Sequence, residues 1–217
     1  MVFVALMRAI WFVAVAVLVA ACGGGRHDWD VAPRPVDPEK YAVPVHVGAR
    51  ISGVTDADLA ALWARQIMVP VAGIARESLR DHFMAARDGA RTHHAIDILA
   101  PKSTPVLAAD DCVIGRLSTG GIGGIVIYAT DPDQRFVYYY AHLDRYRRGL
   151  AVGDRIAKGS VIGYVGTTGN ASEKTPHLHF QVMKRGAGRA WWSGLPINPY
   201  SFFALDGARL LSQSAWP

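Results

Sequence analysis

Apolar residues in this chain fall into short runs, and their spacing separates helix from strand. Residues 2–21 form one apolar run broken by Arg8 alone. Residues 23–50 are polar and Gly/Pro-rich, with Gly23-Gly24-Gly25 followed by Pro33, Pro35, Pro38 and Pro44. That composition predicts a tether without a core of its own. Thr55-Asp56-Ala57-Asp58 then opens Leu59-Ala60-Ala61-Leu62-Trp63. A Thr with an acid three residues on is a capping box, so a short helix to about Ile67 is expected, with Leu59, Leu62, Trp63 and Ile67 as its apolar face. From Met68 the pattern changes to short strands, expected over 68–71, 95–99, 105–109, 112–117, 125–129, 135–141, 161–165 and 177–183. A helical turn is expected over 79–83. Asp110-Asp111, the glycine-rich 119–124, Asp131-Pro132-Asp133 and 166–170 carry turn chemistry between them. Residues 186–217 read as irregular, and no internal repeat is visible.

Composition agrees with this division. The 217 residues are 51% hydrophobic, enough for one packed domain with appendages, and the 22 Gly and 12 Pro favour a β-rich fold over a helical bundle. The formal charge of +5 would draw the chain towards polyanions such as a bacterial envelope. Its basic residues are scattered, without the aromatic–basic stripe of a nucleic-acid binder, so no nucleic-acid partner is expected.

The first segment reads as an address. A positive residue, an apolar stretch and small residues at the end describe a signal peptide over 1–21. It ends Leu18-Val19-Ala20-Ala21-Cys22-Gly23, which resembles a bacterial lipobox. Cys22 is then the expected lipidation site, since acyl chains on it give stable membrane anchoring. Gly23 rather than Asp after the Cys favours the outer over the inner membrane, facing the periplasm. Cys112 is the one other cysteine, so no intrachain disulfide is expected. The expected organisation is a signal peptide (1–21), a lipidated Cys with a flexible tether (22–50), a helical lead-in (51–68), a main domain (69–204) and a C-terminal tail (205–217).

The chemistry sits in three His-containing clusters. In Pro176-His177-Leu178-His179-Phe180, two imidazoles share one face of an expected strand. Upstream, His93 and Asp97 stand four apart, and His142 lies at a strand end. His93, Asp97 and one imidazole of the pair make a three-donor set suited to zinc, with one position left for water. His142 and the other imidazole would then exchange protons near neutral pH.

Several segments in the same order resemble the lysostaphin-type (LytM-like) zinc endopeptidases. Arg91 to Pro101 is similar to the H-x-x-x-D segment, and Tyr139-Tyr140-Ala141-His142-Leu143 to the Y-x-H-L segment. Residues 159–171 are similar to the G-Y-V-G-x-T-G-N run, and 176–180 to P-H-L-H-F. The resemblance runs from about Val69 to Tyr200. It implies a mostly β fold, an antiparallel sheet with an open groove, preceded here by the short N-terminal helix. It implies zinc held by His93, Asp97 and His179, with His142 and His177 as the catalytic imidazoles. It also implies cleavage of peptide cross-links in bacterial peptidoglycan, so stem peptides are the expected partners. Members lacking ligands act instead as wall-binding regulators of other hydrolases, but all five positions are filled here.

The remaining candidates are expected to be structural. His94 has the wrong spacing from Asp97 for the motif and is expected to point outward. His27, His46 and His82 fall outside every motif. Tyr138-Tyr139-Tyr140 reads as strand packing and Gly120 to Gly124 as a hairpin turn. Related sequences place a Gly where this chain has Cys112, so the turn there is expected to be shaped differently, with Cys112 a small apolar strand residue.

Overall fold

The structure, a computed structural model, describes residues 51–203 other than residues 189 and 191. The expected signal peptide, Cys22 with its tether, and the tail from 205 lie outside the described residues. Among the described residues, helix α1 (Asp56–Ala64) comes first. Eleven strands follow: β1 (Ala86–Arg87), β2 (Arg91–Thr92), β3 (Ile96–Leu99), β4 (Pro105–Leu107), β5 (Cys112–Ser118), β6 (Ile125–Thr130), β7 (Phe136–Tyr146), β8 (Arg155–Ile156), β9 (Val161–Val165), β10 (His177–Arg185) and β11 (Gly194–Ile197). Single 3-10 turns occupy Arg76–Ser78, Asp88–Ala90 and Pro199–Phe202.

Nine strands form one antiparallel sheet whose spine runs β11-β10-β7-β6-β5-β8. β3 adds to the N-terminal half of β10, and β9 joins the C-terminal half of β7 to β4. β1 and β2 make a separate two-stranded ladder. The alternation of β10 divides the sheet into two faces. Leu178, Phe180 and Val182 are fully buried, while His177, His179 and Gln181 are half-buried on the opposite side. Strand β3 repeats the division, with Ile96 and Ile98 in the core and Asp97 on the other face. The core on the apolar face takes in Ile114, Ile127, Tyr138, Tyr140 and Leu143. It also takes in Leu59, Leu62 and Ile67 from the helical lead-in, and Phe202 and Phe203.

The capping box forms as expected. Asp58 N–H donates to Thr55 Oγ1, and Thr55 N–H donates to Asp58 Oδ2 at 2.9 Å. Two ion-pair groups fasten the helix to the sheet. Asp58 accepts from Lys184 Nζ at 2.8 Å and Arg135 at 3.3 Å, and Arg65 pairs with Asp110. Asp110 also accepts from the buried Tyr138 hydroxyl at 2.7 Å.

Several expectations are corrected. The 68–71 strand reduces to a single bridge, Val71 to Val106. The helical turn lies at Arg76–Ser78 rather than 79–83. Residues 186–203 are not wholly irregular: β11 pairs with β10, and its place at the sheet edge accommodates Pro196. The turn before β5, by contrast, is as expected for a Cys at 112 and needs no left-handed residue. Asp110 Oδ1 accepts the Asp111 N–H, and Cys112 is fully buried in the strand. Burial, reinforced by Asp110 and Asp111, pushes the Cys112 thiol up to about 12, so it is inert.

Candidate active site

Asp97 and His179 are direct partners across β3 and β10, so strand register alone brings them together. His93 arrives differently. Its N–H donates to Ala85 O at 2.9 Å, and the N–H of His94 donates to Phe83 O at 2.8 Å. His94 takes a positive φ of 52° and turns the chain there, its ring lying 5.3 Å from that of Phe83. His94 thus shapes the bend and stays outside the donor cluster, as expected from its spacing.

His93 Nε2, Asp97 Oδ1 and His179 Nδ1 form a nearly equilateral triangle. The sides are 2.9 Å between His93 and Asp97, 3.0 Å between Asp97 and His179, and 3.1 Å between the two imidazoles. A tetrahedral zinc with bonds of about 2.0–2.1 Å has donor–donor edges of roughly 3.3 Å, close to these spacings. Two imidazole nitrogens and one carboxylate oxygen are also the donor chemistry zinc prefers. Two of the three donors are held from behind. His93 Nδ1 lies 3.1 Å from His82 O, which fixes that nitrogen as the donor and leaves Nε2 for a metal. Asp97 Oδ2 pairs with Arg87 from β1, so Oδ1 alone faces the two imidazoles. Burial would raise the Asp97 carboxyl, but hydrogen bonds with His179 and His93 outweigh it and hold the group far below the usual carboxylate range. Burial also pushes the His179 imidazole down, against the pull of Asp97. The set therefore includes an ionised carboxylate and, in His179, an imidazole pushed towards the neutral, metal-binding form.

His142 reaches the same place through a break in alternation. Phe136, Tyr138 and Tyr140 point into the core, so regular pleating would send His142 there too. The β6–β7 register shifts between Ile125/Leu143 and Ile127/Tyr140, which leaves one extra residue on β7. His142 takes φ 61° at this bulge and turns towards the groove, and Leu143 resumes the core face. Two loops hold the bulge. His142 N–H donates to Gly123 O at 2.8 Å, and His142 Nδ1 lies 2.8 Å from Thr168 O. Thr168 Oγ1 in turn donates to Leu143 O at 2.7 Å and accepts the Ile125 N–H at 2.9 Å. Burial, helped by the neighbouring His177 and His179, pushes His142 down to about 4, despite its bond to Thr168.

His177 is tied back in the same way. Its Nδ1 lies 2.9 Å from Thr175 O, and its Nε2 lies 3.9 Å from Asp97 Oδ1. The His142 and His177 rings are 5.0 Å apart between centroids. Both rings therefore donate from Nδ1 to a carbonyl, which leaves both Nε2 atoms as acceptors beside the donor triangle.

All five expected site residues line one open groove of about 680 Å³. The same groove includes His82, Arg87, Arg91, Ile122, Tyr139 and Asn170. Arg87 and the carbonyls of His82, Thr168 and Thr175 are not legible in the sequence. Backbone acceptors leave no residue-type signal, and Arg87 reaches Asp97 from a strand too short to have a period. Tyr139 is a further correction: Tyr138 and Tyr140 are core residues, whereas Tyr139 faces the groove with its ring edge-on to His179 at 6.0 Å. The 119–124 turn is a hairpin between β5 and β6, as expected, and its Gly123 carbonyl anchors the bulge.

Among the described residues, His93, Asp97 and His179 are the one group of three or more such side chains placed to hold a metal ion. Comparison with known proteins agrees with this geometry. Over 96 residues the chain is 32% identical to the peptidoglycan DD-endopeptidase ShyC of Vibrio cholerae, covering 44% of this chain and 21% of that protein. Over 117 residues it is 32% identical to the L-Ala--D-Glu endopeptidase of Bacillus subtilis, covering 52% of this chain and 34% of that one. The chain thus corresponds to less than two thirds of either relative. The crystal structure of a putative glycyl-glycine endopeptidase, lytM, from Ruminococcus gnavus is similar with a TM-score of 0.55 and 28% identity, over 66% of this chain and 61% of that one. Residues 91–199, which include all five site residues, match the family described as Peptidase family M23. The match takes in half of the sequence, and the chain belongs to peptidase family M23.

Proposed function

We propose that this protein is a zinc-dependent endopeptidase that hydrolyses peptide cross-links of bacterial peptidoglycan. The observation that carries the reading is the His93–Asp97–His179 donor triangle, with the Nε2 atoms of His142 and His177 opening onto the same groove. The named activities of the related endopeptidases support it.

His93, Asp97 and His179 would hold the metal. A zinc ion there would supply Lewis acidity and lower the pKa of a water towards neutral pH. His142, kept neutral by burial, accepts a proton at Nε2, and its Nδ1–H stays on the Thr168 carbonyl throughout. His177, whose Nε2 is likewise left as an acceptor, takes that proton over from His142 and gives it to the leaving nitrogen, so that both rings end neutral. Thr175 fixes its ring orientation. The bulge at β7 and the alternation of β10 hold the two rings at the separation such a relay needs.

The site of action in this reading is the cell envelope, on the periplasmic side, with the chain held to the outer membrane by lipid on Cys22. The apolar 2–21 run and the small residues before Cys22 support that placement. Stem peptides are the partner, with no role for nucleic acid. A non-catalytic wall-binding module that regulates other hydrolases is the alternative. The complete set of five groove residues favours catalysis. Digestion of cross-linked muropeptide dimers by the zinc-loaded chain, with product masses, is the test. Monomer products are expected, and intact dimers would overturn the reading.

A further inference from the structure

Arg87 and Arg91 are direct cross-strand partners in the two-residue ladder of β1 and β2. Like charges facing one another across a ladder cost stability. Local rules broken in this way gather at functional sites. Both arginines line the groove. Arg87 is committed to Asp97. Arg91 lies two residues before His93, and both line the groove. Its exposed side chain therefore stands on the groove wall next to the donor triangle.

The charge of the whole groove points the same way. Histidines aside, its charged lining residues are Arg87, Arg91 and Asp97, and Asp97 is engaged by Arg87 and two imidazoles. The lining segment Asn170, Ala171, Ser172 and Thr175 contributes no charged side chain. A dication on the triangle adds to the positive sign. An anion placed at Arg91 gains a charge-assisted, bidentate hydrogen bond, and it screens the Arg87–Arg91 repulsion.

We infer that Arg91 is a specificity-determining residue that binds an ionised carboxylate of the peptide beside the scissile bond. This deepens, and rests on, the endopeptidase reading of the groove. It selects among the substrates that the relatives' names span. Stem-peptide cross-links carry free α-carboxylates next to the amides that are cut, whereas an oligoglycine bridge carries none along its length.

The test uses two synthetic cross-linked stem peptides, identical except that one has its free α-carboxylates amidated. The zinc-loaded full chain should cleave the carboxylate form with about tenfold higher kcat/KM. Arg91→Gln should lose that factor through KM, with kcat and zinc content kept, and should handle the amidated peptide as the parent does. Arg91→Lys should restore part of the preference. Calorimetric affinities for both peptides, measured with zinc chelated, read the same preference without cleavage. Equal handling of the two peptides by the parent chain, or equal losses on both in Arg91→Gln, would overturn the assignment and leave the endopeptidase reading standing. Preferential binding of the carboxylate form without cleavage of either peptide would support the Arg91 subsite and remove the endopeptidase reading instead.

Discussion

Arg87 holds one oxygen of Asp97 while the other faces His93 and His179. The pairing makes Asp97 a one-oxygen donor with a set direction, and it links the donor triangle to the β1–β2 ladder. Groups that orient a ligating carboxylate are typically worth about 10–100-fold in metal affinity. Arg87→Gln should therefore weaken zinc binding by about that factor, measured by competition with a chromophoric chelator. Unchanged affinity would mean that the strands hold Asp97 unaided.

His142 and His179 should separate under mutation. His179→Ala removes a corner of the triangle, so zinc and activity should be lost together. His142→Ala leaves the triangle intact, so zinc content should stay near one per chain while turnover falls by about 10²–10⁴-fold. Metal analysis beside initial rates checks both, and full turnover in His142→Ala would remove this residue from the mechanism.

The loop that holds His142 tolerates little. Gly169 has φ 74°, and a Cβ there would lie 2.1 Å from Ile122 O. Gly169→Ala should cost about 1–3 kcal/mol in urea unfolding. It should also lower turnover, because the neighbouring Thr168 carbonyl sets the His142 ring. Parent-like stability would show that the two loops have slack.

Stability in acid should track Asp58. Burial would raise its carboxyl, but Lys184 and then Thr55 outweigh that and bring it to about 2, below the ordinary 3.8. A folded-state value below the unfolded one stabilises the fold above about pH 4, and the gain disappears as pH falls through about 2. With discounting for solvent around the pair, the contribution is of the order of 1 kcal/mol. Melting temperatures of the parent and Asp58→Asn should differ at pH 5 and converge near pH 2. A gap independent of pH would assign the effect to packing.

Much of this site was legible from residue spacing. His177 and His179 lie two apart on a strand, and alternation does put both on the groove face. The Thr55–Asp58 capping box reads directly, because capping is a local interaction. What escaped is non-local or carried by the backbone. The bulge that redirects His142 is a register shift between two strands, invisible in either alone. The same alternation that buries Tyr138 and Tyr140 exposes Tyr139, yet three successive tyrosines give no sign of phase. Strand β11 was hidden by Pro196, which reads as a breaker unless the strand is known to lie at an edge.

The central claim is that the five groove residues form one zinc-activated hydrolytic centre. Its most direct test is to titrate the zinc-free chain with zinc, following bound metal and cleavage of a cross-linked muropeptide dimer in the same samples. Cleavage should rise in proportion to bound zinc and level off at one ion per chain. Full-rate cleavage without zinc, or one bound zinc with the dimer left intact, would contradict the account.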